Sequence, residues 1–342
     1  MVNSHYIPQF ILRHFCVDNH IQYCDIEKEK VEERTTKTVF SDQGYYPDEL
    51  EHDLCVKIES QFANLLNNKL IKENYKIVLN ADEMLLLKKY LMISIFRVRT
   101  DELEKEPVLQ GLSKKKLENL GGNFFDNINK VLACKTKEEA FQYCDFDFPE
   151  TNMNLMAYMK DVLCSYTVFV KTNNCGEDFL IPDRGWGAYE GPIHIKKFTG
   201  TLDLAMKTGD PTLFQIAMML TPHDYSIFPL TRNLAVLNVS TFFKLCMPGS
   251  LYNVKFTEEA PTVSKVLGFG SITTIKPPIP KAVYGRGTEY TCEVQQLSRQ
   301  DTVFLNSLLL ANVDKYFAYA DCSKVKRSID NDGKYKFAIV KG

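Results

Sequence analysis

Five polar residues stand in otherwise apolar surroundings where a core alone would not call for them: His5, Arg13, Glu59, Arg99 and Asp183. Arg13 and His14 lie between Leu12 and Phe15, with His5 just upstream. Glu59 flanks an apolar stripe, and Arg97 and Arg99 end the most apolar stretch of the chain. Two residues apart on a helix, those arginines point to nearly opposite sides, so at most one faces a shared cavity. Asp183 follows Phe179-Leu180-Ile181 and opens a loop with Arg184, the only tryptophan (Trp186), Glu190 and His194. Arginine grips phosphate or carboxylate through its planar fork, while histidine and carboxylates exchange protons near neutral pH. Brought into one cleft, the set suits hydrolysis of a phosphoester, as in a nuclease or nucleotide-acting enzyme. His5 is then general base or acid, Arg13 and Arg99 are anion clamps, and Asp183 or Glu59 is the orienting carboxylate. A divalent metal, if one is used, falls to Glu59 and Asp183. The alternative is a non-catalytic interaction module in which these residues form a buried ionic network docking one layer on another. Its 22 Phe and 17 Tyr then offer anchors for a protein partner or a second copy of the chain.

Other motifs carry less. His14, Cys16, His20 and Cys24 fall within eleven positions. Zinc takes such ligands, but the spacing matches no standard finger, and zinc is not expected. Gly185-Trp186-Gly187, Gly268-Phe269-Gly270-Ser271 and Gly285-Arg286-Gly287 lack the Gly-Lys-Ser/Thr ending of a phosphate loop, and HExxH, CxxC and GxSxG are absent.

The bulk composition bounds the partners. With 41 basic and 43 acidic residues the net charge is -2, so a nucleic acid or nucleotide would need a local basic patch. The first residues show no basic region leading into an apolar one, and the ten cysteines form no CxxC pair. Reduced thiols and a cytoplasmic location are expected. Met84 to Val98, broken by Lys88 and Lys89, is too short to span a bilayer, so no membrane association is expected.

Several elements are legible. Pro8 opens a short helix, and Ile21 to Ile26 alternates as a strand before the charged hairpin tip Glu27 to Arg34. Leu50, Leu54, Ile58, Phe62, Leu65, Leu66 and Leu70 mark an amphipathic helix from Asp48, its expected N-cap, to Leu70. A second helix, apolar nearly all round, runs from the capping Asn80 to about Arg97, and helical patterns continue over Lys114 to Cys134 and Asn152 to Leu163. Strands are expected at Tyr166 to Val170, Phe179 to Ile181, Ser226 to Leu230, Leu234 to Val239, Tyr290 to Val294, Lys315 to Ala320 and Tyr335 to Val340. Helices are expected at Pro211 to Leu220 and Ser298 to Val313. This order reads as α+β: a helical N-terminal half (1–165) packed on a mostly antiparallel sheet built from the C-terminal half (166–342), in one domain spanning 1–342.

The opening His5-Tyr6-x-Pro8-x-x-x-Leu12-Arg13-x-Phe15 resembles the hallmark of an uncharacterised, mainly microbial family, domain of unknown function 4238. Further matches follow in the family's order: Glu59 and Ala63, Arg99-Thr100, Phe179 to Ile181 before Asp183, Phe228 to Thr231, Leu305-Asn306, and Ala311 to Tyr319. The resemblance covers nearly the whole chain and implies one family-wide domain, and its microbial character points to a defence or toxin effector. The chain departs from the family at His14, where asparagine is usual. It departs again at Ile181-Pro182-Asp183-Arg184-Gly185, where only the aspartate of a T-S-D-N-P-like signature is kept.

Overall fold

The computed structural model describes residues 3–97, 124–135, 139, 162, 165–172, 175–189, 195–213, 225–239 and 289–339. The chain opens with β1 (Asn3–His5), which pairs antiparallel with β4 (Ser41–Gln43). Between them lie α1 (Gln9–Leu12), tightening into a 3-10 turn over Arg13–Phe15, and the hairpin β2 (His20–Asp25) and β3 (Lys30–Thr35).

The amphipathic helix then runs in four pieces. These are α2 (Asp48–Leu54), a π turn (Cys55–Glu59), α3 (Ser60–Leu65) and a second π turn (Leu66–Leu70). Its expected stripe is buried at Leu50, Leu54, Ile58, Phe62, Leu65, Leu66 and Leu70. The N-cap is Pro47 rather than Asp48, which sits one position inside. Proline is suited to the extended entry, and the acidic first turn (Asp48, Glu49, Glu51) complements the helix dipole.

β5 (Lys76–Asn80) leads into α4 (Ala81–Phe96). Asn80 caps it as expected: its Oδ1 accepts from the Glu83 N–H and Glu83 Oε2 accepts from the Asn80 N–H, both at 2.9 Å. Met84, Leu85, Leu87, Tyr90, Leu91, Met92 and Ile93 are all buried, which accounts for a helix without a polar face. Phe62 and Tyr90 stack at 4.0 Å between centroids, and Phe10 meets each ring edge-on or tilted, locking α1, α3 and α4 together.

α5 (Phe124–Ala133) follows, then β6 (Tyr166–Lys171), β7 (Ile181–Pro182), β8 (Gly187–Tyr189), α6 (Ile195–Thr208), β9 (Tyr225–Thr231), β10 (Leu234–Val239), β11 (Glu289–Gln296), α7 (Arg299–Ala311), β12 (Tyr316–Tyr319) and α8 (Lys326–Asp332). One sheet has the order β5-β11-β6-β10-β9-β8, another β3-β2-β12-β7. Every pair is antiparallel except β11 with β6.

The architecture is α+β. The two halves of the chain, however, share their sheets: β2 pairs with β12 and β5 with β11, so strands of the first 80 residues enter both. The expected strand at 335–340 is instead a 3-10 turn over Lys336–Ala338, held because Tyr319 Oη donates to Ala338 O at 2.6 Å. Most of the helical patterns at 114–134, 152–163 and 211–220, and the glycine clusters after 266, fall outside the described residues. Among the described residues no helix is long and apolar enough to cross a membrane.

Candidate functional site

One strand residue is gripped at three points. On β1, His5 donates its backbone N–H to the carboxylate of Glu51. Its carbonyl accepts from Arg97 Nη1 at 3.1 Å. Its ring nitrogen Nε2 lies 3.2 Å from both Thr36 O and the side-chain amide nitrogen of Gln9. Arg97, at the end of α4, is itself buried and forms an ion pair through Nη2 with Glu59 Oε1, while Tyr46 Oη donates to the Arg97 carbonyl. Burial works against the charged guanidinium, but Glu59 and the two phenols Tyr46 and Tyr90 outweigh it and hold the Arg97 pKa above its ordinary value.

An open cleft of about 390 Å³ lies over this arrangement, lined by His5, Gln9, Asp48, Glu51, His52, Cys55 and Glu59. Five of these seven come from one polar face of the helix beginning at Asp48. The π turn Cys55–Glu59 inserts an extra residue per turn and swings Glu59 toward Arg97. Burial pushes the Glu51 carboxyl above the ordinary carboxylate value, reinforced by Glu59 and opposed by Arg97 and the His5 N–H. Its Oε2 is closed off from solvent and has no hydrogen-bond partner among the described residues.

Of the residues singled out from sequence, the fold brings His5 and Glu59 together at this cleft. Arg99 lies outside the described residues, and the arginine beside Glu59 is Arg97. Arg13 is exposed on its 3-10 turn and does not line the cleft. His14 is half-buried against Asn67, its imidazole held below its usual value by burial. Asp183 does not line the cleft either. Its carboxylate accepts three backbone N–H groups, from Asp314 at 3.0 Å, Lys315 at 2.6 Å and Tyr316 at 2.9 Å. Burial raises its pKa and those three bonds oppose the rise. Asp183 thus clamps the turn before β12 to the turn after β7, and it does not share a site with Glu59.

Among the described residues no group of three or more His, Cys, Asp or Glu side chains converges as metal ligands would. His20 is exposed and Cys24 is fully buried. Trp186 is buried and packs in the core, while Glu190 and His194 lie outside the described residues. Sequence reasoning missed Glu51, His52 and Asp48. Their signal was the second stripe of the helix, Asp48, Glu51, His52, Cys55 and Glu59, which repeats at three and four opposite the apolar one.

The elements and the cleft define an α+β protein whose acid-lined opening sits where the N-terminal strand meets two helices. The chain belongs to the family described as Protein of unknown function (DUF4238), whose model matches residues 3–317. No curated protein and no solved structure matches it significantly.

Proposed function

We propose that this chain is a hydrolase-like effector whose proton transfers are made in the cleft by His5 and Glu51. The observation that carries the reading is the Glu51 carboxyl. One oxygen accepts from His5, the other is buried without a hydrogen-bond partner among the described residues, and burial keeps its proton on above the usual carboxylate range. A carboxyl in that state is suited to donate a proton to a leaving group, and a neighbouring imidazole is suited to take one from water. Arg97 and Glu59 hold the pair in place from beneath.

The cleft alters the substrate that the sequence suggests. Asp48, Glu51 and Glu59 surround it, and the guanidinium of Arg97 is turned inward onto Glu59 and the His5 carbonyl. A phosphoester bound here would meet carboxylates and, among the described residues, no arginine fork directed at it, whereas a neutral or cationic ester, amide or glycoside meets no such repulsion. The test is an assay of the full chain on RNA, DNA, nucleotides, activated esters and glycosides, beside His5→Asn and Glu51→Gln. Turnover by the wild type that falls about 10²–10⁴-fold in either variant, with circular dichroism unchanged, is the expected result. Wild type and variants equally inactive on every substrate, while folded, would overturn it.

A second reading is favoured by Arg97, which is buried and ties β1, the π turn and α4 together. The cluster is then a structural network and the chain an interaction module. Under that reading Glu51→Gln changes stability and nothing else.

A further inference from the structure

Residues 175–179, between β6 and β7, are tied down by four separate elements, and each tie stands at or beside an exposed cation. Arg299, the first residue of α7, donates its Nε–H to Cys175 O at 2.6 Å. Its guanidinium lies where a β-carbon on Gly176 would stand, and Gly176 has φ +82°, so only glycine admits the arginine there. Glu177 Oε1 accepts from the Ser328 N–H at 2.9 Å and from Ser328 Oγ at 2.6 Å, next to Arg327 on α8. The Asp178 N–H donates to Lys324 O at 2.7 Å, in the 3-10 turn Cys322–Lys324. The Phe179 N–H donates to Arg232 O at 2.7 Å, in the turn between β9 and β10. Five residues of chain span at most about 17 Å, so the anchors of all four cations fall within one short stretch.

These cations are left uncompensated. All four are exposed, and none forms an ion pair with a described residue, whereas Lys28, Arg34, Lys57 and Lys69 each do. The carboxylates interleaved with them offset them weakly. Glu177 is buried onto Ser328, and Asp321 accepts the Ser323 N–H at 2.8 Å. Burial raises the pKa of Glu177 and of half-buried Asp178, against Ser328 and the four cations. Among the described residues no large apolar side chain stands exposed in these turns. A protein interface draws its energy from such anchors, whereas a phosphate backbone asks for closely set charge, and guanidinium forks suit its oxygens. We propose that the face formed by Arg232, Arg299, Lys324 and Arg327 binds the phosphate backbone of a nucleic acid strand without reading its sequence. It contributes no residue to the acid-lined cleft and does not depend on the acid–base reading. It supplies the local patch that a chain of net charge -2 requires for such a partner.

The test is fluorescence anisotropy of the full chain with short labelled RNA and DNA strands, titrated with salt. Four phosphate contacts to a single strand give a slope of log K against log salt of about −2.8, a loss of roughly fiftyfold between about 50 and 200 mM. Arg232→Gln/Lys324→Gln should halve that slope to about −1.4, and Arg327→Gln should reduce it by about 0.7. Arg232 and Lys324 hold 178 and 179 through their backbone carbonyls, so the double variant should keep the wild-type urea midpoint. Arg232→Lys/Lys324→Arg, which keeps both charges, should keep the slope. So should Lys28→Gln/Lys57→Gln, which removes two cations paired elsewhere. A folded wild type that binds no strand at about 50 mM salt would overturn the proposal. So would a slope that the neutralising variants leave at its wild-type value, or polyglutamate or phosphatidylserine vesicles held as tightly as the strands.

Discussion

At the scale of single residues, the same chemical group does opposite work in two places. Asp183 is a carboxylate satisfied by three backbone N–H donors, and Glu51 is one with a single donor and a buried oxygen left over. Asp183→Asn leaves one acceptor oxygen where two served three donors. Loss of charge-assisted bonds should cost about 2–4 kcal/mol, read as a lower urea midpoint, while the folded protein keeps whatever turnover the wild type has. Glu51→Gln should behave differently. The folded pKa of Glu51 is raised by burial, so the stability of the neutral form is fully present below the ordinary carboxylate value and is lost as pH rises through the raised one. Glutamine cannot ionise and still accepts from the His5 N–H. The variant should therefore gain on the wild type in urea midpoint as pH increases from 4 to 8, and lose the turnover that needs the acid. A midpoint difference flat with pH would show that Glu51 is ionised at no cost. Sequence alone marked Asp183 because a lone aspartate after a strand has two readings of equal weight. Only the positions of the 314–316 amides, more than 130 residues away in the chain, separate them.

At the scale of elements, the Arg97–Glu59 pair decides how β1 sits on the helices. Arg97 is closed off from water while Glu59 keeps 21% of its side chain exposed, so the pair is not fully desolvated. Removing one partner leaves the other charge uncompensated, which in buried pairs costs about 3–5 kcal/mol. Arg97→Met should reach the lower end of that range because solvent can reach the stranded Glu59. The double variant Arg97→Met/Glu59→Met should recover part of the loss, as measured in a denaturation cycle. Costs that simply add would mean that the two side chains do not interact. Why Arg97 takes this place follows from helix geometry that periodicity alone left open. α4 ends at Phe96, and Arg97, one residue on, still donates its N–H to the Ile93 carbonyl at 3.1 Å, in helical register with the buried side. The apolar stripes of both long helices were legible because a stripe needs only spacing. β5 was not, because Lys76 to Asn80 is one short alternation between two helices. α8 escaped notice too, since only Ser328 and Ile329 of its seven residues are buried.

At the scale of the whole molecule, the division into a helical first half and a strand-rich second half describes composition and not assembly. β5 has β11 as its neighbour in the six-stranded sheet, and β2 lies between β3 and β12 in the four-stranded one. In each case the partner comes from more than 200 residues along the chain, so a local pattern of residues carries no trace of it. The polar stitches cross the same divide. Lys88 on α4 donates to Asn238 Oδ1 at 3.3 Å, and Lys171 on β6 donates to Ile71 O and Glu73 O beyond the second π turn. Cutting between 165 and 166 would leave β2 without β12, baring the edge of β2, and β5 without β11. It would also take Asn238 from Lys88 and strand the buried Lys171 without its Ile71 and Glu73 carbonyls, at a cost of about a few kcal/mol for Lys171. Fragments 1–165 and 166–342 expressed apart should therefore lack cooperative unfolding and protected amides, and mixing them should restore both. A first fragment that folds alone, with slow amide exchange in β2 and β5, would mean that the chain is two domains after all. The cleft would then be complete within that fragment, since all seven residues lining it precede residue 60. The cross-pairing argues the other way: β2 and β5 of that fragment find their sheet partners more than 200 residues further along the chain.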